Sequence, residues 1–244
     1  MINKKYTLGS WITIGHQSIV EVMADSGFDW LCIDIEHTVI DFLEVQQLIS
    51  TIAYKGLKSY VRVGGNDEII IKRVLDAGAN GIIVPLIKNK SECEKAISYS
   101  LYPPLGKRGV NSLSRAQKYG FGFDEYLDRV NTDTEIIAQI EHIDAINDLH
   151  NILETKNLTG TIIGPYDLSA SMGLPGDYDN PRVKEAINKY EEISDQYNLL
   201  KGYHIIKPDA NLVKEKINKG YNFIAFSWDT YFIGNACRQE IKKL

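Results

Sequence analysis

Short apolar runs alternate with amphipathic segments along the whole chain. Apolar runs bounded by turn residues predict buried strands, and apolar positions recurring every third or fourth residue predict helices packed on them. On this pattern strands are expected at Leu8 to Ile14, Asp29 to Asp34, Ser59 to Val63, Gly81 to Ile87, Glu135 to Ile140, Thr161 to Gly164, Lys201 to Ile206 and Asn222 to Ser227. Helices are expected at Ser18 to Ser26, Phe42 to Tyr54, Glu68 to Leu75, from Ser91 onward, behind the fifth strand to Glu154, and at Pro181 to Tyr197. Two more are expected at Asp209 to Lys219 and from the eighth strand to Lys242. The end signals agree. Asp41 is placed to cap the second helix, Ser91 with Glu94 makes a capping-box pattern, and Gly27, Gly56, Gly78 and Gly220 stop their helices.

Repeated strand–helix units, with strands apolar almost throughout, predict one (β/α)8 barrel spanning residues 1–244. An open doubly wound sheet is the alternative, but it usually has fewer units, and no Gly-x-Gly-x-x-Gly follows the first strand. The long excursion from Leu101 to Thr134 carries Pro103-Pro104, Gly106 and Gly120-Phe-Gly122. Loops of that length are often functional, so it is expected to lie over the barrel mouth.

Length and composition suit a single barrel of ordinary soluble type. A net charge of −5 argues mildly against nucleic acid or an anionic membrane as partner, and no apolar run is long enough to span a bilayer. Cys32, Cys93 and Cys237 are far apart and odd in number, which predicts reduced thiols in a cytoplasmic protein. Met1 to Lys5 is positively charged, but Gly9, Ser10, Thr13 and Gly15 interrupt the adjoining apolar residues, so no secretory signal is expected.

The chemistry is expected at the strand ends, because the mouth of such a barrel is built at the C-terminal ends of its strands. Asp34, Glu36 and His37 close the second strand, Arg62 the third, and Gln139 and Glu141 the fifth; Asp167 follows the sixth. Strand residues two apart share a face, so Gln139 should point with Glu141, and Asp34 with Glu36. Crowded carboxylates raise one another's pKa unless a cation sits among them. A hard divalent ion, magnesium or manganese, needs only one or two protein carboxylates, and Glu141 and Asp167 are the candidates. The other reading is a salt-bridge network with Arg62, Arg108 and lysines.

These residues bring a family into view. The chain resembles the class II pyruvate aldolases of the HpcH/HpaI type, in the phosphoenolpyruvate/pyruvate superfamily. The resemblance is carried by Gly27-Phe-Asp-Trp30, Ile33-Asp-Ile-Glu-His37, Val61-Arg62, Leu75-Asp-Ala-Gly78, Val84-Pro85, Gly106-Lys-Arg-Gly109, Gln139-Ile-Glu141 and Ile163-Gly-Pro-Tyr-Asp-Leu-Ser169, running to Met172-Gly173. It implies cleavage of a 4-hydroxy-2-oxo acid to pyruvate and an aldehyde. Glu141 and Asp167 would hold magnesium, manganese or cobalt, and Arg62 would face the keto oxygen. His37, oriented by Asp76, would move the proton, and Gln139 and backbone near Ser169 would hold pyruvate. Asp34 and Glu36 would stand behind the metal toward its water. The resemblance also implies a trimer-based hexamer with the last helix exchanged between copies, which suits the apolar Tyr231-Phe-Ile233.

Alternatives stay open. A Schiff-base aldolase needs a desolvated lysine, for which Lys88 is the candidate. A related carbon–carbon lyase on another 2-oxo or dicarboxylic acid shares the enolate step, and a non-catalytic acid-binding barrel is a different class. His204 and Lys207 after the seventh strand, and Trp228 and Tyr231 at the eighth, depart from the pattern of well-known members. His204 is either a pocket residue or a satisfied barrel histidine. Arg108 and Arg115 either read an acidic aldehyde or are solvated loop charges.

Overall fold

The computed structural model describes residues 6–244. The Met1–Lys5 segment, on which the leader argument partly rests, lies outside the described residues.

Eight strands, β1 (Thr7–Ile12), β2 (Trp30–Asp34), β3 (Lys58–Arg62), β4 (Gly81–Val84), β5 (Glu135–Ile140), β6 (Gly160–Ile163), β7 (Leu200–Ile205) and β8 (Phe223–Trp228), close into a barrel in chain order. Every neighbouring pair is parallel, and β8 closes on β1. Around it run α1 (Gln17–Ala24), α2 (Phe42–Tyr54), α3 (Glu68–Asp76), α4 (Lys90–Ser100), α5 (Phe123–Asp133), α6 (Ile143–Asn147), α7 (Leu149–Leu153), α8 (Pro165–Ser171), α9 (Pro181–Ser194), α10 (Ala210–Asn218) and α11 (Asp229–Ile241). Among the described residues no helix is long and apolar enough to cross a membrane.

Alternation along the strands builds two cores. Outward side chains such as Leu31, Ile33, Val61 and Ile82 pack against the helices. Inward ones fill the barrel. Its floor is aromatic: Trp30 stacks on Phe223 with centroids 4.3 Å apart, and Tyr60 meets both edge-on. Gly9 makes the room, since a Cβ there would lie 1.9 Å from the Trp30 ring. This plug seals the barrel from below, so any ligand must enter from the other end.

Capping explains the helix starts. Asp41 and Glu44 form the reciprocal box that opens α2. α4 does not begin with Ser91: Asn89 caps it, accepting from Glu92 N at 3.0 Å. The helix expected behind β5 breaks into α6 and α7 at Asp148, whose Oδ2 instead accepts from Lys90 N at 2.8 Å. α8 is an addition to the expected elements, being too short to show a period in the sequence.

The position expected for residues 101–134 needs correction. They hold a 3-10 segment, Arg115–Gly120, and α5. They connect the end of α4 to the start of β5, so they lie at the N-terminal end of the barrel, not over its mouth. Their contacts agree: Arg108 and Arg115 reach Asp76 and the carbonyl of Ala77 at the end of α3. Length suggested a functional lid, but only connections leaving strands reach the mouth of this fold.

Candidate active site

Asp34 and Arg62 are register partners in the β2–β3 ladder. Both point inward above the core, and Arg62 Nε and Nη2 donate to Asp34 Oδ1 and Oδ2 at 2.9 and 2.7 Å. Trp11 lies beneath the guanidinium, 4.5 Å away. Glu36 Oε2 approaches Nε at 3.2 Å. Burial works against the charge on Arg62, but Asp34 and then Glu36 hold it protonated more firmly than usual. The turn after β2 is fixed from the same carboxylate. Asp34 Oδ1 accepts from Glu36 N at 3.1 Å, and its carbonyl accepts from the Thr38 hydroxyl. His37 therefore sits at the rim, two-thirds exposed, with Nε2 3.4 Å from Glu36 Oε2.

Across the mouth, Gln139 and Glu141 share a face as expected, Gln139 Nε2 donating to Glu141 Oε2 at 2.6 Å. The other Glu141 oxygen accepts from Leu86 N at 2.8 Å. Leu86 reaches it through a left-handed backbone, φ 54°, uncommon for a leucine. Gly164 leaves the space above, where a Cβ would come within 3.2 Å of Glu141 Oε2. Asp167 stands in the first turn of α8. Burial pushes the Glu141 carboxyl up to about 7; the charges of Glu36 and Asp167 add to this, while the Leu86 bond opposes it. Burial likewise raises Glu36, with Asp167 among the charges that add.

A small chamber of about 200 Å³ is bounded by Arg62, Gln139, Gly164, Asp167, His37 and His204. A larger one of about 570 Å³ shares Arg62, His37, His204 and Trp228 with it and extends over Trp11 and Thr38. Among the described residues no three His, Cys, Asp or Glu side chains form a ready-made metal cage. The donors nevertheless suit a hard divalent ion that keeps water or substrate oxygens. Glu141 and Asp167 supply two carboxylates, the buried Gln139 Oε1 has no partner, and an added cation would offset the burial, and the lesser repulsion, that raise Glu141.

Asp34, Glu36, His37, Arg62, Gln139, Glu141 and Asp167 thus meet at one mouth. Asp76, Arg108 and Lys88 do not reach this mouth within one chain. Asp76 ends α3 at the opposite face, where it pairs with the buried Arg108 at 2.6 Å, so neither touches His37 or the chambers. The Ser169 hydroxyl donates to Tyr166 O and accepts from Gly176 N, which ties down the turn that carries the backbone N–H groups expected near pyruvate. Lys88 lines neither chamber, which leaves the Schiff-base alternative without its lysine there. The sequence pattern also leaves Trp11, Thr13 and the Leu86 amide unmarked. Alternation along β1 points Trp11 inward, but an apolar strand residue carries no sign of a site.

A sequence model of the HpcH/HpaI aldolase/citrate lyase family matches residues 7–236. The chain belongs to this family. The hydroxypyruvate/pyruvate aldolase of Sagittula stellata is 33% identical over 94% of this chain and 89% of its own. The 4-hydroxy-2-oxo-heptane-1,7-dioate aldolase of Shigella sonnei is 34% identical over 94% and 87%. The crystal structure of a family member from Burkholderia cenocepacia J2315 superposes with a TM-score of 0.92 at 30% identity, covering 98% of this chain and 94% of that one. The activity is accordingly that of an aldolase, a carbon–carbon lyase.

Proposed function

We propose that the protein reversibly cleaves a 4-hydroxy-2-oxo acid into pyruvate and an aldehyde, with a divalent metal held by Glu141 and Asp167. The observation that carries this reading is the position of Arg62. A permanent cation, fixed by two bonds from Asp34, faces the chamber that Gln139 and Asp167 also bound.

The residues divide the work. The 2-oxo acid end occupies the small chamber, its keto oxygen toward Arg62 and its carboxylate within reach of Gln139 and the start of α8. His37, exposed at the rim beside Glu36, takes the proton of the 4-hydroxyl. The C3–C4 bond then breaks, the hydroxyl carbon leaves as the aldehyde, and the bonding pair passes into the enolate of pyruvate. Arg62 opposes the negative charge that develops on the keto oxygen, and because it is already oriented it does so without reorganisation. A proton delivered to C3 completes pyruvate. A bound magnesium, manganese or cobalt ion would supply further positive charge at the same oxygen.

The role expected of Asp76 toward His37 is not available within one chain, and could be played only at another copy's mouth. A trimer-based hexamer remains our proposal. In its support, α11 buries only Asp229 among its own residues, and an apolar groove of about 390 Å³ opens between it and α1, walled by Ile19, Met23, Phe28, Phe232 and Ala236. A cytoplasmic location is supported by three unpaired cysteines.

The test is pyruvate release from a panel of 4-hydroxy-2-oxo acids, coupled to lactate dehydrogenase. EDTA should abolish it, and magnesium, manganese or cobalt should restore it. Turnover indifferent to the chelator would overturn the metal-dependent reading.

A further inference from the structure

The Glu141 carboxylate is held from two sides. Oε2 accepts from Gln139 Nε2 at 2.6 Å, a bond within the end of β5 itself. Oε1 accepts from the backbone N–H of Leu86 at 2.8 Å, and this bond fixes the carboxylate relative to the connection between β4 and α4. That connection is not an easy turn. Pro85 has no N–H to offer. Leu86 stands in left-handed backbone at φ 54°, a conformation that a leucine keeps only where its surroundings impose it.

The restraint comes from the first turn of α4. In a capping box the third helical residue returns its side chain to the N–H of the capping residue. Glu92 holds that place in α4, but its side chain reaches one residue further back. Glu92 Oε2 accepts from Lys88 N at 2.7 Å, while the capping Asn89 accepts from Glu92 N at 3.0 Å. Between Lys88 and Leu86, Ile87 is 1% exposed and packed into the core. Glu92 is braced in turn from the connection after β3, where Asn66 Nδ2 donates to its carbonyl at 2.8 Å. One run of contacts therefore joins the strand that carries Arg62 to the carboxylate of Glu141. Glu92 itself lines neither chamber.

We propose that Glu92 is a positioning residue for the metal centre: its bond to Lys88 N shapes the turn so that the Leu86 amide holds the Glu141 carboxylate in place for the divalent ion. The inference rests on the reading of Glu141 as a metal ligand given above. A helix cap needs only the bond from Glu92 N to Asn89; the backward reach to Lys88 serves the turn instead.

The test is the magnesium affinity of the full-length protein, stripped with EDTA and titrated calorimetrically, beside thermal unfolding of the same samples. Glu92→Ala removes the bond to Lys88 N, and magnesium should bind roughly ten- to hundredfold more weakly, the range for partners standing behind a metal ligand. Glu92→Gln keeps a side-chain oxygen that accepts the same N–H and should recover most of the affinity. Glu44→Ala is the control. It removes the corresponding carboxylate from the capping box of α2, where Glu44 accepts from Asp41 N at 2.8 Å, and should lower the unfolding midpoint without weakening magnesium. Unchanged affinity in Glu92→Ala, with only a lower midpoint, would reduce Glu92 to a helix cap and overturn the proposal. An equal loss of affinity in Glu92→Gln or in Glu44→Ala would overturn it too, the first by pointing to charge and the second to general loosening. Glu141→Ala is titrated alongside. If it binds magnesium like the wild type, the ligand assignment itself fails, whereas a loss there with unchanged affinity in Glu92→Ala counts against the positioning role alone.

Discussion

Arg62 is joined to Asp34 by two bonds of 2.9 and 2.7 Å because the two residues are paired in register across adjacent strands. Sheet geometry thus aims the cation proposed to meet the keto oxygen. Asp34→Asn would keep the shape of the side chain and remove the charge that aligns the fork. We expect kcat to fall roughly a hundredfold, the scale of losing one oriented donor to a developing oxyanion. Metal affinity, measured calorimetrically, should change little. Arg62→Ala should abolish turnover with metal affinity similarly retained.

Glu141 would link the proposed metal to pH. Its ordinary carboxyl pKa of 4.5 is raised to about 7 in the folded protein, chiefly by burial. Between these values the metal-free fold binds more protons than the unfolded chain, so this contribution is fully present below 4.5 and is lost as pH rises through 7. Its full size is at most about 3 kcal/mol. His204, lowered to about 3, acts in the opposite sense below 6.5. The difference in urea midpoint between wild type and Glu141→Gln isolates the first effect. It should be largest in slope between pH 4.5 and 7, and saturating magnesium should reverse its sign in the wild type.

Asp167→Ala removes the other carboxylate proposed for the metal. Magnesium affinity should drop at least roughly tenfold, within the range that a single metal-site side chain commands. Unchanged affinity in a calorimetric titration would remove Asp167 from the ligand set.

The pair at the opposite face carries a stability prediction. Arg108 is almost fully buried, bonded to Asp76 at 2.6 Å and to the Tyr126 hydroxyl at 3.2 Å, with its Nε unpartnered. Asp76→Ala would leave that guanidinium without its counter-charge, at a cost of about 3–5 kcal/mol. Chemical denaturation should show the loss.

Gly9→Ala tests the barrel floor. The added methyl would overlap the Trp30 ring, which is itself held between Phe223 and Tyr60. Overpacking of this kind costs about 1–3 kcal/mol. A thermal midpoint equal to the wild type would show that the floor can yield.

The amino-acid pattern by itself determined the barrel. Each strand is short, largely apolar and succeeded by a helical segment, several of them with a cap of their own, so the eight units and their parallel order arise from local periodicity. It also determined which acidic and basic groups gather at the mouth, because strand alternation and strand direction convert position into location. Only the tertiary structure decided the rest. Asp76 and Arg108 belong to motifs that look catalytic, but α3 runs antiparallel to the strands and carries its last residue to the far face. Residues 101–134 lie there for the same topological reason. His204 and Trp11 are distant in sequence and are brought together by closure of β8 on β1 beside β7. Their unpartnered nitrogens, and the bonds that fix the Arg62 guanidinium to Asp34, are properties of packing, which no local pattern encodes.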